Sequence, residues 1–185
     1  MDIGTGSGCI AISLAKNIPN AQVFAIDVSE KALATAQKNA LKNQVEVHFV
    51  KADILKVHDL EKLPTVIPSL SRDHSPLPNF FDIIVSNPPY VRELEKQEIK
   101  KNVLDNEPHL ALFVKDNDAL IFYRKIAEMA QKNLSKNGLL FFEINQYLGK
   151  ETIDLLERMN FKNIELRKDI YGNDRMIKAE FRSQN

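Results

Sequence analysis

The sequence contains no tryptophan, a single cysteine and no apolar run long enough to span a bilayer. One cysteine, Cys9, excludes an intramolecular disulfide and is typical of a reducing compartment. No secretory signal is recognisable either, so we expect a cytoplasmic protein. Lys plus Arg number 25 and Asp plus Glu number 25, which excludes the basic excess typical of a general nucleic-acid binder.

Metal-ligand spacing is also missing, because the four histidines are scattered and the cysteine has no ligand partner nearby in the sequence. We therefore expect no metal site. The chain of 185 residues is 44% hydrophobic and 27% charged, without internal repeats or low-complexity tracts. These values are ordinary for a globular protein and predict a single domain over residues 1–185.

Glycine is scarce, and three of the six glycines fall in one stretch, Asp2-Ile3-Gly4-Thr5-Gly6-Ser7-Gly8. Glycines at such spacing let the backbone approach a ligand closely and turn into a helix, which the apolar residues after Cys9 predict. The spacing matches neither the dinucleotide fingerprint nor a P-loop. Taken alone, the stretch also fits an ordinary strand–helix turn.

The second predicted strand covers Gln22 to Asp27 and ends in an acid. Asp27 lies nineteen residues after Gly8, close to the roughly 20 expected for an acid that binds ribose hydroxyls. Ser29 is better placed to cap the following helix, whose core face is Ala32, Leu33, Ala36 and Ala40. Asp27 is therefore free for a ligand.

A third predicted strand covers Val45 to Val50, with His48 on its polar side. Asp53 and Ile54 follow its end, where they offer a polar and an apolar contact to an adenine ring. Residues 55–80 contain four prolines and several polar residues, which predicts a short helical piece and then a long surface loop.

Phe81 to Ser86 predicts a buried fourth strand, and Asn87-Pro88-Pro89-Tyr90 ends it. Neither proline offers an N–H group, so a rigid shelf forms at the carboxyl end of the strand, where α/β sheets bind ligands. The Asn87 side-chain oxygen and a proline carbonyl suit a planar NH2 group, and Tyr90 could stack on it. A plain strand-ending turn is the alternative.

The second half of the chain predicts further alternation of helices and strands. The predicted elements are a solvated helix at Glu93–Val103, an amphipathic helix at Asn117–Leu134 ended by Asn137-Gly138, a buried strand at Leu139–Ile144, a helix at Leu148–Met159, and strands at Ile164–Leu166 and Met176–Phe181 joined by a Tyr171-Gly172-Asn173 hairpin.

Together these motifs resemble the class I S-adenosylmethionine-dependent methyltransferases. The stretches 2–11 and 86–91 resemble, more narrowly, the release-factor glutamine methyltransferases, the HemK/PrmC family. Further similarities to that family are Glu107-Pro108 with Ala111-Leu112, Asn137-Gly138 with Glu143, and Asp169 through Gly172 to Arg175.

The resemblance implies an α/β, Rossmann-like sandwich, with a mostly parallel seven-stranded sheet and a C-terminal antiparallel hairpin. It implies S-adenosyl-L-methionine as cofactor. The residues expected to bind it are Asp2, Gly4, Thr5, Gly6, Ser7, Gly8, Asp27, Asp53, Ile54 and Asn87, and the expected catalytic residues are Asn87, Pro88, Pro89 and Tyr90.

The implied reaction is methylation of the side-chain amide nitrogen of the glutamine in the Gly-Gly-Gln motif of peptide chain release factors. We expect a monomer that acts on protein, with no direct contact to nucleic acid or membrane. The alternatives are a nucleic-acid amino methyltransferase acting on adenine N6 or a guanine amine, a ribosomal-protein glutamine methyltransferase, and an inactive fragment.

Two features depart from the family pattern. Asn145 stands where the family usually has glycine, and Leu148 where it has glutamine, which we interpret as local drift near the pocket rim. Family members also carry a helical domain and a full first strand before the glycine turn, whereas here Met1 is two residues before Ile3. We therefore expect a catalytic domain whose central first strand is largely missing.

Overall fold

The computed structural model describes residues 1–58, 60, 63, 80–98 and 112–181. Strands and helices alternate along this part of the chain. The strands are β1 Asp2–Ile3, β2 Phe24–Asp27, β3 His48–Lys51, β4 Phe81–Ser86, β5 Val91–Arg92, β6 Phe113–Val114, β7 Leu134–Glu143, β8 Phe161–Lys168 and β9 Asp174–Phe181. The α-helices are α1 Cys9–Asn17, α2 Glu30–Asn43, α3 Ile121–Asn133 and α4 Gly149–Arg158, with 3-10 helices at Glu93–Glu98 and Asp116–Asp118.

Seven strands form one sheet in the order β3-β2-β1-β4-β7-β9-β8. The pairs from β3 through β7 are parallel, whereas β9 runs antiparallel to both β7 and β8. A separate parallel pair joins β5 to β6. The predicted fold class is confirmed, including the C-terminal hairpin.

The short strand β1 occupies the centre of the sheet, as expected for the first strand of this fold. Asp2 pairs with Ala25 on one side and Val85 on the other, and both β1 residues are at most 1% exposed. The Ser86 hydroxyl also donates a hydrogen bond to the Ile3 carbonyl (2.6 Å). The carboxyl ends of β1 and β4 are therefore fixed side by side.

Helices cover both faces of the sheet, and strand β2 shows why. Phe24 and Ile26 belong to the larger apolar cluster, whereas Ala25 belongs to the smaller one. This alternation places successive side chains on opposite faces, and both faces are buried, as is usual for parallel strands. The smaller cluster takes its helical residues from α1 and α2, and the larger one from α3 and α4.

The amphipathic helix ends within one residue of the predicted Leu134, but the prediction that Asn137-Gly138 ends it is wrong. Helix α3 ends at Asn133, and strand β7 begins at the next residue, Leu134. Leu134 pairs with Phe81, and the register shifts before Leu139 pairs with Ile83. Asn137 has a positive φ of 62°, so the Asn-Gly pair forms an irregularity inside the strand, where these two residues tolerate the left-handed conformation.

Other boundaries differ by a few residues. Strands β2 and β3 begin at Phe24 and His48, later than predicted, and the last two strands are longer. The start of the predicted 55–80 surface loop is packed, because Val57 and Leu60 are buried in the larger cluster. Residues 64–79 and 99–111, including Glu107-Pro108, lie outside the described residues. No helix within the described ranges is long and apolar enough to cross a membrane.

Candidate functional site

The predicted site residues meet at the carboxyl ends of three neighbouring strands, β2, β1 and β4. The glycine turn follows β1, Asp27 ends β2, and Asn87 follows β4. A Cβ atom placed on Gly4 would lie 4.0 Å from the Asn87 carbonyl oxygen. The structure therefore brings the glycine turn against the proline shelf, as strand order alone requires.

The glycines of the turn have two different surroundings. Gly4, Gly6 and Gly8 all have positive φ, at 75°, 56° and 85°. A Cβ on Gly8 would lie 3.0 Å from the Ala36 Cβ, so this glycine permits α1 to pack on α2. A Cβ on Gly6 would meet nothing within 4 Å. The open space over Gly4 and Gly6 suits a bound ligand, whereas Gly8 allows helices α1 and α2 to pack closely.

Beneath the turn lies the carboxylate of Asp2, which is 1% exposed. Its Oδ2 accepts hydrogen bonds from the Thr5 hydroxyl (2.6 Å) and the Ala11 N–H (3.2 Å). Its Oδ1 is buried without a hydrogen-bond partner among the described residues. Burial raises the pKa of Asp2, and a cation bound at the turn would favour the ionised form.

Asp27 lies beside the glycine turn and also holds the backbone of the turn by a hydrogen bond. One carboxylate oxygen accepts from the Gly6 N–H and the other from the Ser29 N–H, both at 2.8 Å. Ser29 caps α2 through the Ala32 N–H (3.2 Å), which confirms the predicted cap. A carboxylate has about four lone-pair directions, so Asp27 keeps acceptor capacity for a ligand. The anchoring role was not apparent from the sequence.

The predicted adenine contacts lie at the end of β3. Asp53 is half-buried, accepts a hydrogen bond from the Leu55 N–H (3.1 Å), and forms an ion pair with Lys56. Ile54 is 8% exposed and belongs to the larger apolar cluster. Ile54 therefore offers a ligand only a small part of its surface.

The first residue of the shelf, Asn87, is exposed, whereas the last, Tyr90, is held by a hydrogen bond. The Asn87 side chain is exposed and hydrogen-bonds no other described residue, whereas Pro88 is buried and Pro89 half-buried. Tyr90 donates a hydrogen bond from its hydroxyl to Glu143 Oε1 (2.8 Å). Burial, reinforced by the Glu143 charge, raises the pKa of Tyr90 to about 12, so the phenol is neutral at physiological pH.

The interpretation of Asn145 as local drift is wrong. This side chain is 4% exposed, and its Nδ2 donates hydrogen bonds to the Tyr90 carbonyl (2.9 Å) and to Glu95 Oε2 (2.8 Å). Its Oδ1 accepts from the Tyr147 N–H (2.9 Å). A buried amide must find such partners, so the departure from glycine is itself the signal that could have identified this residue.

The described part of the predicted solvated helix at 93–103 is a 3-10 helix, Glu93–Glu98, which is exposed at residues 93, 94 and 96 but not at Glu95. Glu95 is 5% exposed, and its carboxylate accepts hydrogen bonds from the Arg92 N–H and guanidinium as well as from Asn145. Buried charges require such pairing. The sequence of a charged stretch does not show that this glutamate differs from its exposed neighbours, because its partner Asn145 is 50 residues away.

A small cavity of about 180 Å³ borders this network. Arg175 lines it and contacts Asp169 Oδ2 at 3.2 Å, and Tyr147 lies beneath the Arg92 guanidinium at 5.8 Å. Small-molecule pockets usually have volumes of about 300 Å³ or more, so this cavity suits a fragment of a larger molecule. No group of acids, histidines and cysteine that could hold a metal ion occurs in the described residues.

The comparisons with known proteins agree with this geometry. A family model described as a methyltransferase domain matches residues 1–165. A release factor glutamine methyltransferase of Flavobacterium psychrophilum is 66% identical over 98% of this chain and 58% of its own length. A release factor glutamine methyltransferase of Bacteroides thetaiotaomicron is 46% identical over 97% and 59%, respectively. These matches confirm the resemblance, although the chain spans less than two thirds of either relative.

The fold is shared with solved structures. A methyltransferase from Pyrococcus furiosus superposes with a TM-score of 0.62, covering 97% of this chain and 74% of that one. Its sequence identity is 16%, so the likeness concerns the fold alone. With a family model matching most of its length and the sheet order of a class I, Rossmann-like methyltransferase, the chain belongs to the methyltransferase domain family.

Proposed function

We propose that this protein transfers a methyl group from S-adenosyl-L-methionine to the side-chain amide nitrogen of a glutamine, in the Gly-Gly-Gln motif of peptide chain release factors. The observation that carries the proposal is the exposed amide of Asn87 beside an open glycine turn, with the Asn87 carbonyl 4.0 Å from a Cβ placed on Gly4. The names of the similar proteins support the choice of acceptor.

The residues of the turn fit the cofactor. Gly4 and Gly6 leave open space for it, Asp27 keeps acceptor capacity for ribose hydroxyls, and the unpartnered Asp2 oxygen favours a cationic ligand. Thr5, Ser7 and Gly8 complete the turn, and Asp53 and Ile54 border the adenine end of the proposed site. When bound, S-adenosyl-L-methionine supplies an electrophilic methyl group on a sulfonium.

The shelf would prepare the acceptor amide. An amide nitrogen is a weak nucleophile because its lone pair is delocalised into the carbonyl. Asn87 Oδ1 and the Pro88 carbonyl accept its two N–H hydrogens and hold the remaining face of the nitrogen towards the methyl donor. As the new bond forms the nitrogen becomes positive, so these oxygens favour the transition state, and one N–H proton then passes to water.

The rest of the shelf would orient the amide. Pro88 and Pro89 fix the backbone and leave their carbonyls unused by a following helix. Tyr90 packs against the amide plane while its neutral hydroxyl stays bonded to Glu143. Positioning of this kind supplies a large part of the rate enhancement for an unreactive nucleophile.

The decisive experiment compares Asn87→Ala with Asn43→Ala, an exposed asparagine at the end of α2. Mass spectrometry of a release factor after incubation with the wild-type protein should show one added methyl on the Gly-Gly-Gln peptide. Asn87→Ala should lower the methylation rate by about 100-fold or more, while calorimetry shows affinity for S-adenosylhomocysteine within about threefold of wild type. Asn43→Ala should behave as wild type.

Three other outcomes would contradict the proposal. Methylation of DNA or RNA without methylation of the release factor would identify a nucleic-acid amino methyltransferase, and methylation of a ribosomal protein alone would identify a different glutamine substrate. Failure of the folded protein to bind S-adenosylhomocysteine would refute methyl transfer itself. We further propose that residues 1–185 act as one methyltransferase domain, as a monomer in the cytoplasm.

A further inference from the structure

We infer that Asn145 is a positioning residue for methyl transfer: with Glu143 it holds Tyr90 at both ends and thereby fixes the shelf. The inference rests on the proposed function for its catalytic consequence. Its structural part, the restraint of Tyr90 by two side chains from one strand end, is independent of that function.

The two contacts reach opposite ends of Tyr90. Glu143 Oε1 accepts the phenol hydrogen at 2.8 Å, and Asn145 Nδ2 donates to the main-chain carbonyl at 2.9 Å. A tyrosine bonded only at its hydroxyl can still shift its main chain. Bonds at both ends fix the position of the phenol oxygen and the direction of the peptide that joins Tyr90 to β5.

The restraint comes from a rigid part of the sheet. Strand β7 ends at Glu143, which pairs with Met176 of β9, and the Ile144 N–H continues this ladder by donating to the Arg175 carbonyl (2.8 Å). Residues two apart on extended chain project to the same side. Glu143 and Asn145 can therefore approach Tyr90 together, from a strand that is paired on both edges.

Asn145 also links the shelf to the segment that follows it. Its Nδ2 group donates a second hydrogen bond to Glu95 Oε2, which also accepts from the Arg92 N–H. The main-chain N–H of Asn145 donates to the Tyr123 hydroxyl (3.3 Å). Such buried networks are stable only when every member is satisfied. Removing the Asn145 amide would release the Tyr90 carbonyl, and a displacement of about 1 Å at a reacting group can lower the rate by about 100-fold.

The test separates positioning from folding by comparing Asn145→Ala with Glu95→Gln. Both variants weaken the buried network, so both should lower the melting temperature by several degrees. Only Asn145→Ala removes the bond to the Tyr90 carbonyl, because in Glu95→Gln the Asn145 amide is intact. Asn133→Ala, at the other asparagine that is buried within the described ranges, controls for loss of a buried amide elsewhere.

Kinetics should be measured on a Gly-Gly-Gln peptide at a temperature where every variant is folded by circular dichroism. Asn145→Ala should lower kcat about 30- to 100-fold, with KM and S-adenosylhomocysteine affinity within about threefold. Glu95→Gln and Asn133→Ala should keep kcat within about threefold. Equal kcat losses in Asn145→Ala and Glu95→Gln, or a wild-type kcat in Asn145→Ala, would overturn the inference.

Nuclear magnetic resonance provides a readout that does not depend on activity. The carbonyl ¹³C shift of Tyr90 should move in Asn145→Ala and stay in place in Glu95→Gln and Asn133→Ala. An unchanged shift in Asn145→Ala would refute the restraint itself. If instead the shift moves but the wild-type protein methylates no glutamine peptide, the proposed function fails while the restraint of Tyr90 stands.

Discussion

Alanine substitution at two glycines of one turn should affect different properties: mainly stability at Gly8 and mainly cofactor affinity at Gly6. Gly6 and Gly8 both have positive φ, so alanine at either position costs about 1–2 kcal/mol in backbone strain. At Gly8 the new Cβ would also lie 3.0 Å from the Ala36 Cβ and 3.3 Å from its Cα, which cannot move without shifting α2. Overpacking of this kind adds about 1–3 kcal/mol.

The totals are about 2–5 kcal/mol of stability for Gly8→Ala and about 1–2 kcal/mol for Gly6→Ala. In a domain of this size each kcal/mol lowers the melting temperature by roughly 2–4 °C. We therefore expect falls of roughly 4–20 °C for Gly8→Ala and roughly 2–8 °C for Gly6→Ala. The order of cofactor affinity should be reversed, because the Gly6 methyl enters the open space over the turn whereas the Gly8 methyl faces α2.

Thermal melts and calorimetry with S-adenosylhomocysteine would measure the two effects on the same samples. Gly6→Ala should weaken binding about tenfold or more, and Gly8→Ala should bind within a few-fold of wild type when folded. Wild-type affinity in Gly6→Ala would show that the cofactor does not lie over this glycine. A Gly8→Ala protein no less stable than Gly6→Ala would refute the packing argument.

The other predictions concern the acids of the turn and the last hairpin. Burial raises the pKa of Asp2, so the folded protein holds the proton of this carboxyl more tightly than the unfolded chain does. Stability should therefore fall as the pH rises above 3.8. Asp2→Asn should reduce this dependence of the melting temperature on pH, measured from about pH 4 to about pH 8. Ser29→Ala should cost about 1 kcal/mol without changing cofactor affinity, whereas Asp27→Ala should weaken binding in calorimetry, because it loses the ribose acceptor and the Gly6 anchor. Asp169→Ala should lower the melting temperature by several degrees, because its carboxylate accepts from the Tyr171 and Asn173 N–H groups and from Arg175.

Most of the helices and strands could be predicted from signals within short stretches of the sequence. The apolar run of β4 and its proline ending, the Ser29 cap and the glycine turn each depend on neighbouring residues, so their positions could be predicted from short stretches. The mostly parallel seven-stranded sheet and its C-terminal antiparallel hairpin followed from the resemblance and were confirmed. The end of α3 was predicted within one residue, but the role given to Asn137-Gly138 was wrong, because pairing of Leu134 with Phe81, a contact between remote residues, starts strand β7 before that pair is reached.

Only some residues of the candidate site gave a recognisable signal in the sequence. Asn87 and Asp27 belong to recognisable motifs, whereas Glu95 and Asn145 are joined by a hydrogen bond across 50 residues of sequence. A charged residue in a charged stretch gives no local indication of burial, and an asparagine in place of glycine gives no local indication of its partners. Such pairs become visible only when the sheet brings the ends of β4 and β7 together.

The central position of β1 also has a consequence for the order of folding. Asp2 and Ile3 find their second partners at Val85 and Ser86, 83 residues later. At about 5–20 residues per second, a ribosome needs roughly 4 to 17 seconds to synthesise the intervening chain. Until then the glycine turn has neither the shelf nor a complete sheet beside it, and closing so long a loop slows folding. The nascent chain therefore cannot acquire its cofactor site before Asn87 has left the ribosomal exit tunnel.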